Sequence, residues 1–232
     1  MPKIIESGNG TLLTNAQNTA VSRRKFLGYG AAAAVLAVGV SACKKDKNDN
    51  MQSEGVDLGS GDFGILNYAY ALEQLEAAFY AKVISSPYGS MPAAEMALLT
   101  DIRDHEIAHR EFFKNALGSN AIAGLTPDFS TIDFTSRTSV LGAAKAFEDL
   151  GVSAYNGAGK LITNPAYLVL AGKIVSVEAR HAAYIRDLIS NGSFAADVDA
   201  NGLDKSLDPA AVLTAANTYL VTKVSGKNLP TT

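Results

Sequence analysis

The sequence predicts an all-α protein built as an antiparallel four-helix bundle, with a long crossover loop and a short C-terminal helix. Three observations carry this. From Asp62 onward the apolar residues recur with the helical period rather than alternating. Clusters of Pro, Gly, Asn and Ser divide the periodic stretch into four long segments. The second pair of segments then repeats the chemistry of the first.

The first helix is expected over about Asp62–Ile84, with Leu66, Ala69, Glu73, Ala77 and Tyr80 on one face. Pro87, Gly89 and Pro92 end it and open the second, about Pro92–Leu117, which aligns Leu99, Ile102, Glu106, His109 and Phe113. The stretch Gly118–Ser136 carries Pro127 and several Ser, Thr and Asp residues, and reads as the crossover. The third helix covers about Thr138–Ile162 and aligns Leu141, Ala144, Glu148, Val152 and Tyr155. Asn164 suits an N-cap and Pro165 a first helical position. They open the fourth helix, about Pro165–Ser190, with Ile174, Glu178, His181, Ile185 and Leu188 on its inner face. A short last helix follows, about Pro209–Thr222.

The N-terminus reads as an address. Ser22-Arg23-Arg24-Lys25-Phe26-Leu27 is a twin-arginine pattern, and the apolar run behind it, Phe26–Ala42, has 17 residues, short for a membrane span. The run ends in Val40-Ser41-Ala42-Cys43, which resembles a lipobox whose cysteine is lipidated after cleavage. Cys43 is the chain's single cysteine, so it makes no intramolecular disulfide. The alternative is a plain signal anchor with an incidental cysteine. The expected organisation is therefore a signal over 1–43, a polar flexible tether over 44–60, the bundle over 61–192, and an extension over 193–232 packed on the bundle. The chain would be exported by the twin-arginine route and held as a periplasmic or cell-envelope lipoprotein.

Charge excludes one class of partner. Beyond residue 42 there are 16 basic and 22 acidic residues, the wrong balance for a protein that neutralises phosphates, so no nucleic acid is expected.

The repeat picks out a chemistry. Leu72-Glu73-Gln74-Leu75 matches Phe147-Glu148-Asp149-Leu150, and Glu106-Ile107-Ala108-His109 matches Glu178-Ala179-Arg180-His181. The separations are similar, 33 residues from Glu73 to Glu106 and 30 from Glu148 to Glu178. Residues three apart share a helix face, so each Glu-x-x-His pair aims a carboxylate and an imidazole at one spot. Two such helices plus one glutamate from each of two others make the two-metal arrangement of helix bundles. The expected ligands are Glu73, Glu106, His109, Glu148, Glu178 and His181. Four carboxylates balance two divalent cations, whereas four unpaired carboxylates in a dry core would cost several kcal/mol each. The bland alternative, with Glu and His at the stripe's border facing solvent, fits one such pair but not two at repeat-related positions. The repeat also selects Glu73 over Glu76, because Glu76 falls opposite Gly151. His105 turns away from Glu106 by about 100° and reads as supporting or surface.

Tyr80 and Tyr155 follow Glu73 and Glu148 by seven residues, about 10 Å along the axis. Across an antiparallel bundle each could donate a hydrogen bond to the opposite glutamate; the alternative is a core aromatic. Arg180, Asp104 and Asp187 are candidates to support the ligands from behind, with surface charge as the default reading.

At these residues the sequence resembles the ferritin-like family that includes desiccation-related proteins and exported bacterial members. The resemblance rests on the run from Leu66 to Tyr80, on His105–His109, on Phe147–Tyr155, on Val177–Ala183 and on Thr126-Pro127-Asp128-Phe129. It implies a di-iron or di-manganese carboxylate bundle, with O2 or peroxide as small-molecule substrate and oxidase, ferroxidase or peroxidase chemistry. The alternative function is a non-catalytic envelope protein for stress or desiccation, with a structural or vestigial metal site. The membrane is a partner through Cys43, and a homodimer stays open.

One further pattern stands apart. Asp197, Asp199, Asn201 and Asp208, with Gly202, match the spacing of a calcium loop. The last position holds Asp rather than Glu, and Asp208-Pro209 is equally an N-cap and helix start.

Overall fold

The computed structural model describes residues 55–231. The twin-arginine pattern, the apolar run and Cys43 lie outside the described residues. Four long helices dominate: α1 (Gly61–Ser85), α2 (Ala93–Leu117), α3 (Arg137–Ala158) and α4 (Pro165–Ile189). A short α5 (Pro209–Ala216) follows, and two two-residue strands, β1 (Val56–Asp57) and β2 (Val224–Ser225), pair in parallel. None of the described helices is long and apolar enough to cross a membrane.

The helices start and stop for local reasons. Ser136 Oγ accepts the Ser139 amide at the start of α3, and Asn164 Oδ1 accepts the Ala166 amide ahead of Pro165 at the start of α4. Gly118, at φ 54°, ends α2 in a backbone region that suits glycine. The third helix ends earlier than its periodicity suggests. Gly159 opens a tighter 3₁₀ turn over Gly159–Leu161.

Packing pairs α1 with α2 and α3 with α4 as antiparallel hairpins. α1 is buried on nearly every side, an unbroken run from Gly64 to Glu73, because the crossover covers the flank that its neighbours leave open. Two polar side chains strap that crossover down. Asn67 donates to Asn120 O at 2.9 Å and accepts from the Ile122 amide at 2.9 Å, and Gln74 accepts from the Leu125 amide at 2.8 Å. Phe129 and Phe134 then cover Phe79, which packs edge-on against Phe147 at 5.0 Å between centroids.

Two polar clamps tie the halves together. Asp62, in the first turn of α1, accepts the amides of Thr163 and Asn164 from the α3–α4 turn, at 2.8 and 2.9 Å. Arg137 grips the buried Glu95 of α2 with two nitrogens and also donates to Leu188 O of α4 at 2.8 Å.

The C-terminal extension packs on the bundle through Pro209, Val212, Leu213 and Ala216. α5 stops at Ala216, six residues before the sequence-based boundary at Thr222. There the Asn217 side chain bonds both the amide and the carbonyl of Val224, turning the chain back. Tyr219 O and the Val221 amide bond the crossover at Asp128 and Thr126. The returning β2 pairs with β1, and Leu58 just beyond it is fully buried. Residues 56–58 thus belong to the folded unit rather than to the expected tether, since their amides and apolar side chains find partners that lie far away in sequence.

The closest approach in the extension is at Gly157. A Cβ there would sit 1.8 Å from Leu207 O, whose own residue donates to Ser153 O at 3.0 Å. Gly157→Ala is expected to push the extension off α3 and destabilise the protein by about 2 kcal/mol or more. A thermal melt within one degree of wild type would contradict this contact.

Candidate metal centre

Each bundle helix places its chemistry at one level of the core. Glu73 comes from α1, Glu106 and His109 from α2, Glu148 from α3, and Glu178 and His181 from α4. All four glutamates are 0% exposed. Their ligand atoms form two overlapping groups: Glu73, Glu106, His109 and Glu178 in one, and Glu106, Glu148, Glu178 and His181 in the other. Within each group the atoms lie within 4.8 Å of one another. Glu106 and Glu178 belong to both.

The imidazoles cross the bundle. His109 Nδ1 lies 2.9 Å from Glu178 Oε1, and His181 Nδ1 lies 2.7 Å from Glu106 Oε1. Each Glu-x-x-His helix therefore presents its histidine to the glutamate of the other. The tyrosines cross as well: Tyr155 donates to Glu73 Oε1, and Tyr80 donates to Glu148 Oε1 at 2.5 Å.

The donor atoms left over test whether a cation fits. Glu73 Oε2, Glu148 Oε2 and both oxygens of Glu106 and Glu178 are buried without a hydrogen-bond partner, as are Nδ1 of His109 and of His181. Buried polar atoms are seldom left unmatched. These eight are the atoms that would ligate two ions, and each outer glutamate keeps one oxygen free because a tyrosine holds the other. Carboxylate oxygen with imidazole nitrogen, and no thiolate, suits manganese or iron.

His105 is exposed and stands outside both groups, yet it touches His181, which belongs to one. Its Nδ1 lies 2.9 Å from Nε2 of His181. The ring centroids are 5.2 Å apart with planes 11° off parallel, so the rings meet edge to edge through their nitrogens rather than stacking. Were His181 to hold a cation through Nδ1, its Nε2–H would donate to His105, which would fix the tautomer. The repeat partner of His105 is Val177, so only one half of the site has this support.

One residue the sequence reading set aside lies buried beside the cluster, though in neither ligand group. Glu76 is 4% exposed, and its carboxyl sits over Gly151, the position that had argued against it. The available signal was its place three residues after Glu73, on the same face. Asp104 pairs with its neighbour Arg103, Asp187 accepts the Gly192 amide, and Arg180 is exposed; none of the three joins the cluster.

In the fold the carboxylates of the calcium pattern turn to lysines and local amides. Asp197 binds Lys205 at 2.5 Å, Asp199 accepts the amides of Asn201 and Leu203, and Asp208 faces Lys160 at 3.3 Å. Among the described residues Asp197, Asp199 and Asp208 enter no ligating group, because lysines and local amides already use their carboxylates. Asn201 belongs to this ordinary Asx turn.

A ferritin-like domain model matches residues 61–191. The chain belongs to the ferritin-like domain family. No curated protein matches it. The buried Glu/His cluster of this ferritin-like domain fits a di-metal carboxylate protein.

The cluster's own electrostatics oppose its burial. Desolvation and repulsion from Glu106 push Glu73 up to about 7, against the pull of His109 and Tyr155. Burial also raises Glu148, and raises Glu76 and Glu178 well above the ordinary range. Burial alone would lower the two histidines, but the surrounding carboxylates push His109 up to about 12 and His181 to about 10. Glu106 goes the other way: burial raises it, but both histidines hold it down at about 2.

The metal-free ferritin-like domain then has a definite pH response. A carboxyl raised in the fold binds a proton that the unfolded chain releases, so Glu73 costs stability as pH climbs from 4.5 to about 7. The stability from His109 and His181 is full below 6.5 and is lost as pH passes about 10 and 12. Glu106 contributes above 4.5, and that contribution is lost only on descending toward about 2. The chelator-treated protein is expected to melt several degrees higher near about pH 5 than near about pH 9. Metal should reverse the trend, because it needs ionised glutamates and neutral histidines. A metal-free melting temperature that rises over that interval would refute this picture.

Proposed function

We propose that this is an exported, lipid-tethered ferritin-like protein that holds two iron or manganese ions and turns them over with O2 or peroxide, as an oxidase, ferroxidase or peroxide-removing centre. The observation that carries the reading is the pair of overlapping ligand groups sharing Glu106 and Glu178. Bound iron would supply one-electron oxidation and the capacity to reduce O2 or peroxide.

The chain's own residues have distinct tasks in this reading. Glu106 and Glu178 would serve both ions, with Glu73 and His109 completing the hold on one and Glu148 and His181 on the other. Tyr155 and Tyr80 fix the outer carboxylates, and their phenols are held far toward the protonated form by burial and the adjacent glutamates. The lipobox at Cys43 would place the protein on the envelope membrane.

An apolar pocket supports O2 in particular. It is lined by Leu66, Ala69, Leu72, Phe113 and Ala154, among others, and reaches Tyr155, the residue that holds Glu73. A gas with no hydrogen-bonding needs partitions into such a space, whereas peroxide would lose its water partners there. Ala116→Phe at the exposed rim of this pocket is expected to slow O2 consumption and leave peroxide consumption unchanged. Equal slowing of both would remove the pocket from the route.

The central test is metal analysis of the natively exported protein, followed by Fe(II)-dependent O2 or peroxide consumption. Two ions per chain and measurable consumption are expected, with both lost in Glu106→Ala, since that glutamate belongs to both groups. A protein that carries no metal and consumes neither oxidant would refute the reading. Because the cluster repels itself without a cation, a purely structural staple is the second reading. It gives metal-dependent melting with no consumption of either oxidant.

A further inference from the structure

Glu76 and Gly151 hold equivalent positions in the two halves, three residues after Glu73 and Glu148. In the fold they face each other. A Cβ built on Gly151 would lie 3.1 Å from Glu76 Oε1 and 3.4 Å from Glu178 Oε2. Residues related by a two-fold that touch one another lie at its axis. A glutamate in both copies would put two side chains into one volume. Glycine in the α3 copy leaves that volume to the carboxylate of the α1 copy.

The neighbours of this carboxylate are the donors themselves. Burial raises the Glu76 carboxyl, and repulsion from Glu178 and then Glu106, the two residues common to both ligand groups, adds to it; Glu76 itself stands outside both groups. Both oxygens of Glu178 lack hydrogen-bond partners, and one of them shares the open face of Gly151 with Glu76. A fifth acid placed against four buried ones is costly in a purely structural core. Among cations it becomes a donor.

We propose that Glu76 is a fifth carboxylate ligand of the metal centre, entering beside Glu178 through the space that Gly151 leaves. This rests on the metal-binding reading above. It makes the centre unequal in its two halves and gives it five negative charges against the four of two divalent ions. The surplus favours metals that can reach a higher charge, iron or manganese, over those fixed at two.

The test uses the full chain, stripped of metal and titrated with Co(II) alone, in wild type, Glu76→Gln and Gly151→Ala. Glutamine keeps the size and removes a like charge, so the metal-free melt of Glu76→Gln should match or exceed wild type. Its affinity for Co(II) should fall at least tenfold, with altered visible bands. Gly151→Ala should show the same loss, since its new methyl displaces the Glu76 carboxylate. Two ions bound by wild type, with affinity and spectrum unchanged in Glu76→Gln, would overturn the assignment and leave the metal reading intact. A change in Gly151→Ala alone would also overturn it, by placing the effect on Glu178. Wild type that binds no ion at all would overturn both.

Discussion

The rest of the molecule is arranged around mutual repulsion among carboxylates sealed in a helix-bundle core. At 0% exposure, burial and mutual repulsion raise Glu73, Glu148 and Glu178, while the two histidines hold Glu106 down; only the histidines and tyrosines between them offset the cost within the protein. Six oxygens and two nitrogens still lack hydrogen-bond partners. Such an arrangement is a liability as a core and an asset as a cation site, because the same low dielectric that magnifies repulsion magnifies attraction to a metal.

Holding that arrangement falls to groups well away from it. Arg137 joins three helices through Glu95 and Leu188 O, Asp62 pins the α3–α4 turn to the start of α1, and Asn67 and Gln74 hold the crossover against α1. These bonds are polar and directional. Slack in any of them would let the helices slide and pull donor atoms off their positions, whereas the aromatic cluster of Phe79, Phe129, Phe134 and Phe147 supplies cohesion without fixing register.

The two halves are alike in their buried glutamates and histidines and unlike around them. His105 braces His181, while the matching position beside Glu178 is Val177. Glu76 fills a space that its counterpart Gly151 vacates. Near the axis the two copies compete for the same volume, so exact duplication is sterically impossible there. The asymmetry follows from geometry and gives the two ligand groups different surroundings.

The sequence by itself determined what depends on short-range spacing. Helical period, Asn164-Pro165 and the spacing of Glu-x-x-His pairs act within a few residues, and the repeat linked them into one set; the four long helices start within a residue or so of those expectations. Only the tertiary structure decided what depends on which residues meet. Gly151 spoke against Glu76 in the one-dimensional repeat and makes room for it in the fold. His105 points away from Glu106 and His109 on its own helix and finds His181 across the bundle. Asp197, Asp199, Asn201 and Asp208 have the spacing of a loop that binds calcium, but lysines and amides reach the three aspartates first. Residues 56–58 gain structure from a strand far along the chain. Spacing fixes the direction of a side chain relative to its own helix, while its partner is fixed by how the helices pack.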